Sequence, residues 1–156
     1  MSSLATLGKV IEIATRRRDE ALAAHAALQR DLAGAQAQMD QLRSYADESL
    51  ARWSQRGQQG VDAALLMHHR QFMAKLDHAI EFQTAVLREK QTRLDDAHAR
   101  VITAERELAG LSKYVERQQH ALTQRENRLD QKRNDEMALN LHRLAQAQAS
   151  NAGWTP

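Results

Sequence analysis

"SQRGQQGVD", residues 54–62, separates two long stretches of helix-forming sequence. Gly57 and Gly60 are the one close pair of helix breakers in the chain, and Asp62 is placed to cap a helix that begins after it. Breakers followed at once by a capping residue predict a tight hairpin. The flanking sequence is therefore read as two arms folded back on each other.

Upstream, small and apolar residues step by three and four: Leu4, Leu7, Ile11, Ala14, Ala21, Leu28, Leu32, Ala35, Met39, Leu42, Ala46 and Trp53. This is a heptad seam of about seven repeats, with Arg18, His25 and Ser49 as polar residues at seam positions. Downstream the file runs through Leu65, Phe72, Leu76, Ile80, Leu87, Leu94, Ala97, Val101, Ala104, Leu108, Leu111, Val115, Leu122 and Leu129. The step from Leu76 to Ile80 reads as a stutter that locally unwinds the supercoil. At ~1.5 Å per residue the first arm spans roughly 75 Å and the second roughly 130 Å. Reversal at Gly57 gives pair numbers summing to about 115, so the first arm covers the second to about residue 112.

Composition agrees with long helices. Ala, Leu, Arg, Glu and Lys make up half of the chain, the single Pro is the last residue, and aromatic residues are 4% of it. The expected fold is all-α: a long two-helix antiparallel coiled coil, or helical hairpin, with the second helix overhanging. A single domain over 1–156 is expected, with helices over about 4–54 and 62–148, a hairpin at about 55–61 and a flexible tail at about 149–156 that carries Trp154. Phe82, Trp53 and Tyr114 read as packing along the seam or its flank.

Several kinds of chemistry are excluded. The absence of Cys removes disulfides, thiolate metal sites and cysteine nucleophiles. The histidines, His25, His68, His69, His78, His98, His120 and His142, include no pair at the i,i+3 or i,i+4 spacing that places two imidazoles on one helix face. No glycine-rich phosphate loop or matched nucleophile and base appears, so neither catalysis nor a cofactor is expected. A net charge of +2 is no polyanion-binding field. The basic triplet Arg16, Arg17, Arg18 is short, flanked by Asp19 and Glu20, and lies within the heptads, unlike a zipper-type DNA-binding region. Neither nucleic-acid binding, membrane insertion nor a cleaved signal is expected.

Beyond the expected cover lies "QRENRLDQKRNDEMAL", residues 124–139, in which half of the side chains are charged. Val115, Leu122 and Leu129 keep one apolar file, while the alternating row becomes Gln118, Arg125 and Lys132. Glu126 with Asp130 and Arg128 with Lys132 are like-charged at i,i+4, which disfavours an isolated helix. Lys132 with Glu136 and Asp130 with Arg133 are the pairs that could balance a solvated helix end. Docking on an outside surface and simple solvation are equally compatible with this pattern.

Within this run, "ENRLDQKRNDEMA", residues 126–138, resembles the C-terminal signature of the flagellar export protein FliJ family. "LATL" at 4–7 is similar to the family's start, and "RQFMAKLDHAI" at 70–80 is similar to its stretch after the hairpin. The resemblance implies a cytoplasmic component of the flagellar type III export apparatus, peripheral at the inner face of the cell membrane at the flagellar base. It implies a stalk that inserts into the export ATPase ring and promotes its assembly and activity, contacts the export gate membrane protein, and meets export chaperones. Carried over by position, the gate-binding residues are Gln38, Leu42 and Tyr45 with Phe72, Leu76 and Ala79; Ser49 and Gln83 depart from the family pattern. The ATPase-binding residues it implies are Arg125, Arg128, Leu129, Asp130, Lys132, Arg133 and Glu136. The alternatives are a generic coiled-coil scaffold that dimerises and, less favoured, a nucleic-acid-binding coil.

Overall fold

The computed structural model describes residues 2–153. They form two helices, α1 (Ser2–Gly57) and α2 (Ala63–Ala152), with no strand among the described residues. α1 carries through Gly57, so the turn is confined to residues 58–62. Gly60 supplies the reversal with φ of 85°, a left-handed conformation that a side chain would strain. The Gln59 N–H donates to the Arg56 carbonyl at 3.0 Å and closes α1. The Leu66 N–H donates to the Asp62 carbonyl at 3.0 Å, which puts Asp62 at the position that opens α2. α2 ends at Ala152, past the end expected near residue 148, and Trp154 lies outside the described residues.

The chain divides into two compact units, one of Glu12–Leu108 and one of Met1–Ile11 with Ala109–Pro156. Within Glu12–Leu108 the helices run antiparallel. Contacts join His25 to His98, Asp31 to Lys90, Ala35 to Gln83, Tyr45 to Phe72 and Trp53 to His69. Their paired numbers add to roughly 120, not 115, because the chain reverses about Gly60 and not at Gly57.

The core of this unit is thin and built from small residues. Ala14, Ala35, Met39 and Ala46 on α1 and Leu76, Ala97, Val101 and Ala104 on α2 are all buried, and Met39 is 1% exposed. The α1 seam holds through its polar members, since Arg18, His25 and Ser49 are half-buried at the positions the heptads give them. Arg18 turns its guanidinium onto the adjacent carboxylate, with Nε and Nη2 donating to Asp19 Oδ1 at 3.1 and 2.9 Å. One member of the basic triplet is thereby neutralised locally.

The stutter expected at Leu76 is absent. Buried or half-buried positions run His69, Met73, Leu76, Ile80, Gln83, Leu87, Lys90, Leu94, Ala97, Val101, Ala104 and Leu108, an unbroken heptad series. Polar side chains occupy three of these places, while Leu65 and Phe72 lie off the seam at 43% and 38% exposure. An apolar-only reading skips the polar steps and so registers a false shift. Gln83 is accommodated because its Nε2 donates to the Ala35 carbonyl at 2.9 Å and reaches Gln38 Oε1 at 3.4 Å. Lys90 extends its amine to Asp31 at 2.6 Å, leaving its stem over the seam.

In the other unit, Leu7, Ile11, Leu111, Ser112 and Val115 are half-buried. Every described residue from 116 to 153 is exposed, and α2 is unbroken there until Ala152. Cover therefore ends at Val115, a few residues past the expected limit.

Candidate interaction surfaces

Two of the sequence-derived sets lie on different units and have different chemistry. Gln38, Leu42 and Tyr45 on α1, and Phe72, Leu76 and Ala79 on α2, belong to Glu12–Leu108. The spacing i, i+4, i+7 puts each triplet on one helical face. The antiparallel register then brings the faces together. The rings of Tyr45 and Phe72 meet edge to face, with centroids 5.7 Å apart and an interplanar angle of 79°. Tyr45 is 50% exposed and Phe72 38% exposed, so the pair packs internally and still presents aromatic surface.

The remaining members divide by depth. Leu76 is buried in the seam, Leu42 and Ala79 are half-buried, and Gln38 is exposed. A shallow groove between Gln38, Gln41, Leu42, Tyr45 and Gln83 joins the Tyr45 end to the seam. Leu76 therefore lies in the seam between the helices, while Tyr45, Phe72 and Gln38 lie at the surface. Gln83 points inward to Ala35 and is a cross-helix tie, not part of the exposed face.

Arg125, Arg128, Leu129, Asp130, Lys132, Arg133 and Glu136 belong to the other unit and are all exposed. Arg125, Arg128, Leu129, Gln131, Lys132 and Asp135 line a shallow groove on the helix surface. Among the described residues no ion pair within 4.0 Å forms in this segment, although such pairs occur elsewhere, as between Glu89 and Arg93 at 2.8 Å. Lys132 with Glu136 and Asp130 with Arg133, the pairs that could balance a solvated end, are not made. The charges stand free beside an apolar file in which Leu122 is 40% and Leu129 51% exposed. Past Leu129 the next position of that file is Glu136; Met137, Leu141 and Leu144, each at least 60% exposed and spaced i, i+4, i+7, form a separate apolar stripe.

Among the described residues no group of three or more His, Asp or Glu is placed to hold a metal ion. No helix among the described residues is long and apolar enough to cross a membrane. The grooves at Tyr45 and at Leu129 are shallow and open, unlike the enclosed clefts that bury a small ligand.

Comparison with known families resolves what this pattern belongs to. A family model described as flagellar FliJ protein matches residues 3–147. The chain belongs to the FliJ family. No curated protein matches it. A solved structure described as a YscO homolog from Chlamydia trachomatis is similar over 94% of each chain, at 14% identity and a TM-score of 0.49. Membership makes this FliJ-family chain a component of flagellar type III protein export.

Three features of this FliJ-family member were not legible as surface or contact from residue types alone. Phe82, read as packing, is 72% exposed and is the most exposed large apolar side chain among the described residues. It lies three residues beyond Ala79, near the edge of the Phe72 stripe. Trp53 stacks on His69, with centroids 4.1 Å apart and planes 5° from parallel. His25 and His98 face each other across the helices at 5.6 Å between centroids. Both contacts depend on cross-helix register, which adjacent spacing along one helix does not contain.

Proposed function

We propose that this protein is the stalk of the flagellar export ATPase: a cytoplasmic, non-catalytic component that docks in the ATPase ring through residues 116–152, promotes ring assembly and turnover, and links it to the export gate. The observation that carries this reading is the continuous exposure of residues 116–153, with exposed apolar residues and, among the described residues, no ion pair formed within 4.0 Å. A helix end without a packed face is held weakly by its own chain. A ring interior of complementary charge would relieve the like-charged neighbours at Glu126 and Asp130 and at Arg128 and Lys132. Family membership supports the export setting.

The gate-facing surface in this proposal is Tyr45, Phe72 and Gln38, with Leu42 and Ala79 at its edge and Leu76 beneath it. An exposed aromatic pair already held in one geometry loses little entropy on binding, and aromatics carry much of the energy of interfaces. Handling of empty export chaperones is the third part of the proposal, supported by family membership, and no residues are assigned to it.

Charge reversal tests the ring contact. Arg125→Glu, Arg128→Glu and Lys132→Glu together should lower stimulation of ATP turnover by at least about tenfold in effective concentration, with helicity unchanged. Unaltered stimulation by this variant would remove these side chains from the contact.

A further inference from the structure

Beside the turn, residues Ser49, Arg52, Trp53, Arg56, His69 and Phe72 line most of a groove of about 460 Å³. No carboxylate lines it; its other walls are Gln55 and Gln59. We propose that this groove binds an acidic peptide segment carrying an aromatic side chain, contributed by a partner protein. The argument rests on charge and ring geometry. Arg56 makes no ion pair among the described residues, and Arg52 only reaches Glu48 at 4.0 Å, with both side chains well exposed. Two guanidinium groups on successive turns of α1 are thus available to carboxylates at little cost in broken pairs.

The apolar wall is preformed. The Trp53 ring is held by its stack on His69, and the Phe72 ring packs at a near-right angle on Tyr45, so the two aromatic side chains that line the groove need little further ordering. Ser49, half-buried and small, lines the groove beside them. A single-stranded nucleic acid fits less well. One Trp53 face is already covered by His69, leaving no pair of free ring faces for successive bases, and two arginines do not make a basic track along a backbone.

The test uses the full chain with Trp154→Phe, which leaves Trp53 as the one tryptophan reporter. The probe is a short, end-blocked peptide of alternating glutamate and phenylalanine. Control probes replace glutamate by lysine, replace phenylalanine by alanine, or are an oligothymidylate strand. The expected result is saturable change in Trp53 emission with the acidic aromatic peptide, weaker at high salt. The variant Arg52→Gln with Arg56→Gln should bind at least about fivefold more weakly, and Arg52→Lys with Arg56→Lys should recover most of the affinity. Both arginines are exposed, and circular dichroism checks that helicity is kept. Three results would overturn the proposal: no response to the acidic aromatic peptide, equal binding of the lysine peptide, or arginine-dependent binding of the oligothymidylate alone. The arginine variants leave Tyr45 and Phe72 intact, so their outcome is separable from that of the export-gate proposal.

Discussion

Met39 and Gln83 show how little this coil has to spare. Met39 is the most completely buried side chain in a seam otherwise dominated by alanine, so its truncation leaves a void that adjacent methyl groups cannot fill. Met39→Ala is expected to cost about 2–3 kcal/mol in unfolding free energy, measured by thermal or urea unfolding of the full chain. Gln83→Ala, which removes the bonds to Ala35 and Gln38, is expected to cost about 1 kcal/mol. Gln83→Leu should keep most of the stability while loosening the register that Gln83 ties. A Met39→Ala protein as stable as the parent would contradict a seam centred on Met39.

At the scale of the helices, the turn and the first seam were legible in the sequence because breakers and heptads are local signals. Gly60, Asp62 and the α1 series from Leu7 to Trp53 follow directly from spacing. The α2 register was not, since it depends on polar residues whose place in a seam is made tolerable only by partners on the other helix. Gln83 needs Ala35 and Lys90 needs Asp31, and neither partner is visible along α2 alone. The same register turns two separate stripes into one surface by setting Tyr45 against Phe72. Tyr45→Ala and Phe72→Ala, singly, are expected to weaken binding to the cytoplasmic part of the export gate about tenfold, with the far-ultraviolet circular dichroism unchanged. Helicity lost in step with binding would assign both rings to packing alone.

For the whole molecule, the structure divides labour between a packed pair over Glu12–Leu108 and a length of α2, residues 116–152, in which every described residue is exposed. The sequence showed that the second helix was the longer. It left open whether Lys132 with Glu136 and Asp130 with Arg133 would pair, because side-chain placement decides that, and among the described residues neither pair is made. The proposed stalk function rests on this uncovered length, and removal of that length is the most direct test. The measurement is ATP turnover and ring formation by the export ATPase, recorded together as the full chain and a chain truncated after Lys113 are titrated in. Stimulation by the full chain and its loss in a truncated chain that remains helical is the expected result. Equal stimulation by both chains would contradict the proposal.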